Sequence, residues 1–243
     1  MKMNKILIIT IILIAFIGGI FFGLSINKVS QQDTSKKTTV KKEATKCQEN
    51  TNNISDIIKK ENIVFLGDSI TDFYPIADIF NDLPIVNSGI SGYKTDDILS
   101  RMDNMVYRYN PTKVFLLIGT NDLNDTSDES IEKVKENITK IVQNIKEHRK
   151  NAKIYIESIY PVNKSVRDWV VDKRKNEVIR EVNEYLKNYC EENDCTYIDI
   201  YNILKDQDGN FDKKYTTDGL HVNDLGYARI SQELAKYLYN LKS

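Results

Sequence analysis

The sequence predicts a three-layer α/β sandwich built on a doubly wound parallel sheet. Short apolar runs alternate with longer stretches whose apolar residues recur every three or four positions. Runs of the first kind suit strands buried on both faces of a parallel sheet. Stretches of the second kind suit helices with one apolar face. Polar motifs follow the first three strand candidates, which in such a sheet all end on one edge, where ligands bind.

The strands are expected, in order, at Ile63–Leu66, Ile85–Val86, Val114–Ile118, Ile154–Glu157 and Tyr197–Ile200. A weak helix is expected from Thr95 to Tyr109, ahead of Pro111. A stronger one carries Ile131, Val134, Ile138, Ile141, Val142 and Ile145 on one face. The next presents Val178, Val182, Tyr185, Leu186 and Tyr189, and the last presents Ile230, Leu234, Tyr237, Leu238 and Leu241. No internal repeat is visible.

Ahead of this region lies different material. An uncharged stretch from Ile6 to Ile26 follows Lys2 and Lys5. As a helix it would extend roughly 30 Å, enough to cross a bilayer. Residues 1–27 are therefore expected to be an uncleaved membrane anchor. A cleaved signal peptide competes, since Gly23-Leu24-Ser25 offers small residues, but its apolar core would be unusually long. Lys2 and Lys5 favour a cytoplasmic N-terminus, while Lys28, Lys36, Lys37, Lys41 and Lys42 pull the other way. A domain hung from one N-terminal helix is placed outside the cell. Residues 28–55 are rich in Lys, Thr, Ser, Gln and Asn and read as a solvated stalk. The folded domain is expected over 56–243.

Residues 1–47 carry eight lysines against Asp33 and Glu43, a net of +6; the whole 243-residue chain carries −1, so the remainder carries −7. An acidic domain without a basic stripe argues against nucleic acid as a partner. Two histidines and three cysteines, Cys47, Cys190 and Cys195, give no metal-binding cluster. Cys190 and Cys195 flank a helix-to-strand turn and either pair or remain thiols.

The chemistry sits in four segments. Gly67-Asp68-Ser69 follows the first strand, Asn87-Ser88-Gly89 the second and Gly119-Thr120-Asn121-Asp122 the third. Asp218-Gly219-Leu220-His221 precedes the last helix. Serine becomes nucleophilic when an imidazole takes its proton, and a carboxylate fixes that imidazole's tautomer. Asp218 and His221 supply base and orienter from one turn. The other histidine, His148, ends a charged surface helix, where a cation suits the helix dipole. The run Gly89–Thr95 hints at a phosphate loop, but Tyr93 stands between Gly92 and Lys94, so it is set aside.

Taken together, the blocks Gly67-Asp68-Ser69-Ile70-Thr71, Asn87-Ser88-Gly89-Ile90-Ser91-Gly92, Gly119-Thr120-Asn121-Asp122 and Asp218-Gly219-Leu220-His221 resemble those of the SGNH hydrolases, or GDSL-type esterases, over about residues 62–241. The resemblance implies a flavodoxin-like sheet of five parallel strands. It implies Ser69 as nucleophile, His221 as base and Asp218 as its orienter. It also implies an oxyanion hole from the Ser69 and Gly89 N–H groups with the Asn121 amide, and no cofactor. Tyr74, Tyr93 and Trp169 are substrate-binding candidates. Trp169, the sole tryptophan, either stacks on a sugar or packs on the sheet. Short acyl esters on carbohydrate, acetyl above all, lead as substrates. Lipid esters and acyl transfer use the same machinery, and a non-catalytic surface module would not need the intact set.

Overall fold

The computed structural model describes residues 62–241, within the compact unit Asn50–Ser243. The anchor and stalk expected over 1–55 lie outside the described residues. Among the described residues, no helix is long and apolar enough to cross a membrane.

In chain order the elements are β1 (Ile63–Gly67), α1 (Ser69–Asp72), α2 (Ile76–Ile79), β2 (Ile85–Gly89), α3 (Thr95–Leu99), α4 (Met102–Met105), β3 (Lys113–Leu117), α5 (Asp128–His148), β4 (Lys153–Glu157), α6 (Asp168–Val171), α7 (Asn176–Glu192), β5 (Thr196–Ile198), α8 (Tyr201–Leu204) and α9 (Asp224–Leu238). The five strands are all parallel, in the order β2-β1-β3-β4-β5. The order reverses at β1, between its neighbours β2 and β3, which is where a doubly wound sheet opens its ligand crevice.

The alternation of side chains along each strand splits the core in two. Val64, Leu66, Val114, Leu116, Ile154 and Ile156 face α3, α4, α5 and α7. Ile63, Phe65, Phe115, Leu117, Tyr155 and Ile198 face α2, α8 and α9. Register pairs Phe65 with Phe115 and Phe115 with Tyr155, so three rings stack across β1, β3 and β4 with centroids 4.5 Å apart. Such cross-strand aromatic pairs add to the stabilisation given by burial alone.

Three helices differ from the sequence expectation. The last, α9, ends at Leu238, so Leu241, expected on its apolar face, lies beyond it and is exposed. The helix expected over Thr95–Tyr109 is broken into α3, α4 and a short 3-10 turn, Tyr107–Tyr109. Ser100 Oγ donates to the Asp97 carbonyl at 2.8 Å, a local bond that competes with helix continuation. The face of α7 is also rotated. Ile179, Val182, Leu186 and Cys190 are buried, while Tyr185 is exposed. Cys190 and Cys195 are both free thiols.

Candidate active site

β1 ends at Gly67 and the chain turns directly into α1. Asp68 caps that helix, its Oδ1 accepting the Ile70 N–H at 2.9 Å. The cap fixes Ser69 at the carboxyl edge of the sheet. Its Oγ lies 3.1 Å from His221 Nε2, and His221 Nδ1 lies 2.8 Å from Asp218 Oδ2. Three residues drawn from the two ends of the domain are thus brought into one line.

The Asp218 carboxylate is held by its own turn. Its Oδ1 accepts the Leu220 N–H at 2.9 Å and the His221 N–H at 2.7 Å. Burial works to raise its pKa, but the His221 side chain and these two N–H groups outweigh it and hold the carboxyl below its ordinary value. An ionised carboxylate on Nδ1 keeps the proton there and leaves Nε2 as an acceptor facing Ser69. Gly219 makes the turn possible. Its φ is +85°, and a Cβ there would stand 2.2 Å from the Asn163 carbonyl oxygen. The Gly219 carbonyl accepts the Asn163 N–H at 2.8 Å, which ties the segment after β4 to the histidine turn.

The three expected oxyanion donors end on the same edge, in different states. The Ser69 N–H is first in its helix and has no acceptor within it. Gly89 packs against α1 so closely that a Cβ would meet the Asp72 nitrogen at 2.2 Å. Its N–H already donates to Asn87 Oδ1 at 2.9 Å. Asn87 in turn donates to the Thr71 and Tyr74 carbonyls, which stitches the second block onto α1. Asn121 Nδ2 donates one hydrogen to the Tyr93 carbonyl at 3.0 Å, leaving its second for a ligand.

Behind these groups lies a buried polar layer that the sequence did not reveal. Asp122 accepts from the Thr95 N–H at 3.1 Å and from Thr95 Oγ1 at 2.7 Å, and Asn137 Nδ2 donates to that hydroxyl at 2.9 Å. Burial raises the Asp122 carboxyl, and the Thr95 bonds oppose it. Burial pushes Asp68 up to about 7; the Ile70 N–H and Arg174 oppose the rise, and Asp122 adds to it. Its Oδ2 has no hydrogen-bond partner among the described residues. Arg174, far from every motif, donates to Asn121 Oδ1 at 3.1 Å.

The three substrate-binding candidates fare differently. Tyr74 is a correction. It is buried, stacked on Tyr227 with its hydroxyl 2.7 Å from Ser231 Oγ, so it belongs to the core. Tyr93 is half-buried and serves the site through its carbonyl, while Arg101 lies 5.4 Å over its ring. Trp169 is 79% exposed and does not pack on the sheet. Phe73, which carried no sequence signal beyond lying near Ser69, is 55% exposed with its ring 5.4 Å from that of His221. His148 stays on its surface helix, stacked on Tyr107.

A flavodoxin-like sheet with a serine, an imidazole and a carboxylate aligned at its carboxyl edge defines a class, the serine hydrolases of this fold. Residues 65–229 match the GDSL-like Lipase/Acylhydrolase family. The chain belongs to that family and is a serine ester hydrolase. It is 31% identical over 176 residues to the N-acylneuraminate cytidylyltransferase of Escherichia coli O18:K1:H7, a match covering 72% of this chain and 39% of that protein. The chain therefore spans well under half the length of that relative. It is 26% identical over 189 residues to platelet-activating factor acetylhydrolase IB subunit alpha1 of Bos taurus, covering 75% of this chain and 77% of that one. Among solved structures, a Streptococcus pneumonia protein provisionally named a platelet activating factor superposes with a TM-score of 0.69 at 31% identity, covering 86% of this chain and all of that one.

Proposed function

We propose that the chain is a membrane-tethered, extracellular esterase that removes short acyl groups, acetyl foremost, from carbohydrate. The observation that carries the catalytic part is the continuous line Ser69–His221–Asp218, with separations of 3.1 and 2.8 Å. In this reading His221 Nε2 takes the Ser69 proton as Oγ attacks the ester carbonyl. The oxygen that becomes negative is received by the Ser69 N–H, the Gly89 N–H and the free hydrogen of Asn121 Nδ2. Gly89 must share or release its bond to Asn87 at that moment. His221 then protonates the departing alkoxide. A water, deprotonated by the same nitrogen, cleaves the acyl-enzyme. Preorganised donors of this kind contribute roughly 3–4 kcal/mol each to the barrier reduction.

Two features support the substrate class. A bovine relative is by name an acetylhydrolase. Trp169 stands open to solvent on α6, beside the Val171 that packs on Gly219, as a surface on which a sugar ring can stack. A lipid ester is the second reading, favoured by the exposed apolar Phe73 and Ile90 beside Ser69 and Gly89.

A panel of acetylated glycans, short acyl esters and lysophospholipids, assayed with the purified domain and with Ser69→Ala, decides between them. The expected result is fastest turnover on acetylated glycan and loss of several orders of magnitude in Ser69→Ala. Faster turnover on lysophospholipid would replace the carbohydrate reading, and near-normal turnover in a folded Ser69→Ala protein would end the triad reading. The tether rests on the apolar run Ile6–Ile26 and the lysine-rich stalk after it. Full-length protein is expected to resist alkaline carbonate extraction and to lose its domain to protease added to wall-stripped cells. Recovery from the medium beginning near Ile26 would make the run a cleaved signal, and complete protection from protease would place the domain in the cytoplasm.

A further inference from the structure

Arg174 is 7% exposed, yet among the described residues it has no carboxylate within ion-pair distance. A buried guanidinium without an ion pair is costly, and it persists only where its N–H groups are well satisfied. Here they are. Nε donates to the Thr120 carbonyl at 2.7 Å, and Nη1 faces the Val171 and Val170 carbonyls at 3.2 and 3.4 Å and Asn124 Oδ1 at 3.3 Å. Nη2 donates to Asn121 Oδ1 at 3.1 Å.

That last bond settles which way the Asn121 amide faces. An amide left to itself presents its oxygen or its nitrogen to a ligand by a half-turn about one bond. A guanidinium has donors only, so it accepts the oxygen as its neighbour and rejects the nitrogen. The Tyr93 carbonyl, an acceptor, takes one of the two amide hydrogens at 3.0 Å. Cation and carbonyl thus clamp the group from two sides, and one N–H is left over to point out of the clamp. The bond to a cation also polarises the amide, making that hydrogen a better donor. The bond to the Thr120 carbonyl holds the adjoining residue of the same turn, so the clamp grips backbone and side chain together.

We propose that Arg174 is a positioning residue that fixes the Asn121 amide as a donor to the oxyanion. This assignment rests on the oxyanion role proposed above for Asn121. It also gives the segment between β4 and α7 a task in the chemistry, since that segment supplies the cation for a residue after β3.

A double-mutant cycle on p-nitrophenyl acetate tests it. Arg174→Met is expected to lower kcat by at least tenfold with KM changed less than threefold. In an Asn121→Ala background the same change is expected to cost less than twofold, because the group it acts on is gone. An equal loss in both backgrounds, or no loss in the first, overturns the proposal. Arg174→Lys keeps the cation but not the fork, and is expected to fall between Arg174→Met and the parent. If circular dichroism shows Arg174→Met unfolded, the cycle is read with Arg174→Lys on the same criterion. Ser69→Ala, which touches neither residue, reports separately: if it stays active, the catalytic reading fails and not only the clamp.

Discussion

A carboxylate, an imidazole and a hydroxyl act together only if each holds the next in one tautomer and one direction. Asp218 does this with both oxygens, one on the imidazole and one on the N–H groups of its own turn. Its lowered pKa means that this carboxylate stabilises the fold above the unfolded carboxyl pKa and ceases to as pH falls through its folded value. Asp218→Asn can keep the turn, since its amide oxygen still accepts the two backbone N–H bonds. It then faces Nδ1 with an NH₂ donor, which drives the proton to Nε2 and removes the base. The expected outcome is a fall in kcat of about 10³–10⁴-fold, with a protein that still folds and melts at a modestly lower temperature at neutral pH, where the carboxylate's stabilisation is lost. A tenfold loss or less, by steady-state kinetics on p-nitrophenyl acetate, would show that Asp218 does not orient His221. At this scale the sequence is informative where chemistry demands a residue type at a set spacing, as with Ser69, Asn121, Asp218 and His221. It is silent on Arg174 and Phe73, whose roles come from arriving beside a motif in space with no pattern of their own. It also misplaces Tyr74, because nearness to Ser69 along the chain does not say which side of α1 a ring takes.

Between residues and molecule, the elements that deliver the site are short and depend on close approach. The central strands β1, β3 and β4 were legible because burial on both faces leaves an unbroken apolar run; the edge strands β2 and β5 are only partly buried, and β2 was longer than its apolar part. Its last three residues, Asn87-Ser88-Gly89, pair with β1 as strand while serving the site as motif. The helices α5 and α9 announced themselves by periodicity. The break between α3 and α4 did not, since a serine that bonds back to a carbonyl looks in sequence like any helix-surface serine. Neither did the rotation of α7, where buried Asn183 holds the Ile159 backbone through both ends of its amide at 2.7 and 2.8 Å. A polar residue on the inward face hides the apolar stripe from a hydropathy reading. The same bonds fix the start of the segment that carries Trp169 and Arg174, so α7 sets the position of the clamp as well as closing the core.

On the scale of the whole molecule, the carboxyl edge of the sheet stores three buried acids, Asp68, Asp122 and Glu157, all raised by burial. Glu157 ends β4, is 4% exposed and accepts the Tyr160 hydroxyl at 2.6 Å. Burial pushes its carboxyl up to about 7, against the pull of that bond. Between the unfolded value near 4.5 and the folded value near 7, the folded protein holds a proton that the unfolded chain has lost. Stability therefore falls as pH rises through this window and levels off above it. The shift corresponds to up to about 3 kcal/mol for Glu157, and Asp68, raised in the same sense, adds to the slope. Glu157→Gln removes one of these titrations while keeping an oxygen for Tyr160. Melting curves at pH 5 and pH 8 are expected to show the parent losing several degrees on going to pH 8. The variant is expected to lose less, and to be the more stable of the two proteins at pH 8. Parallel losses in the two proteins would mean that Glu157 is not the protonated group, and the pH dependence would have to be sought in Asp68 and Asp122.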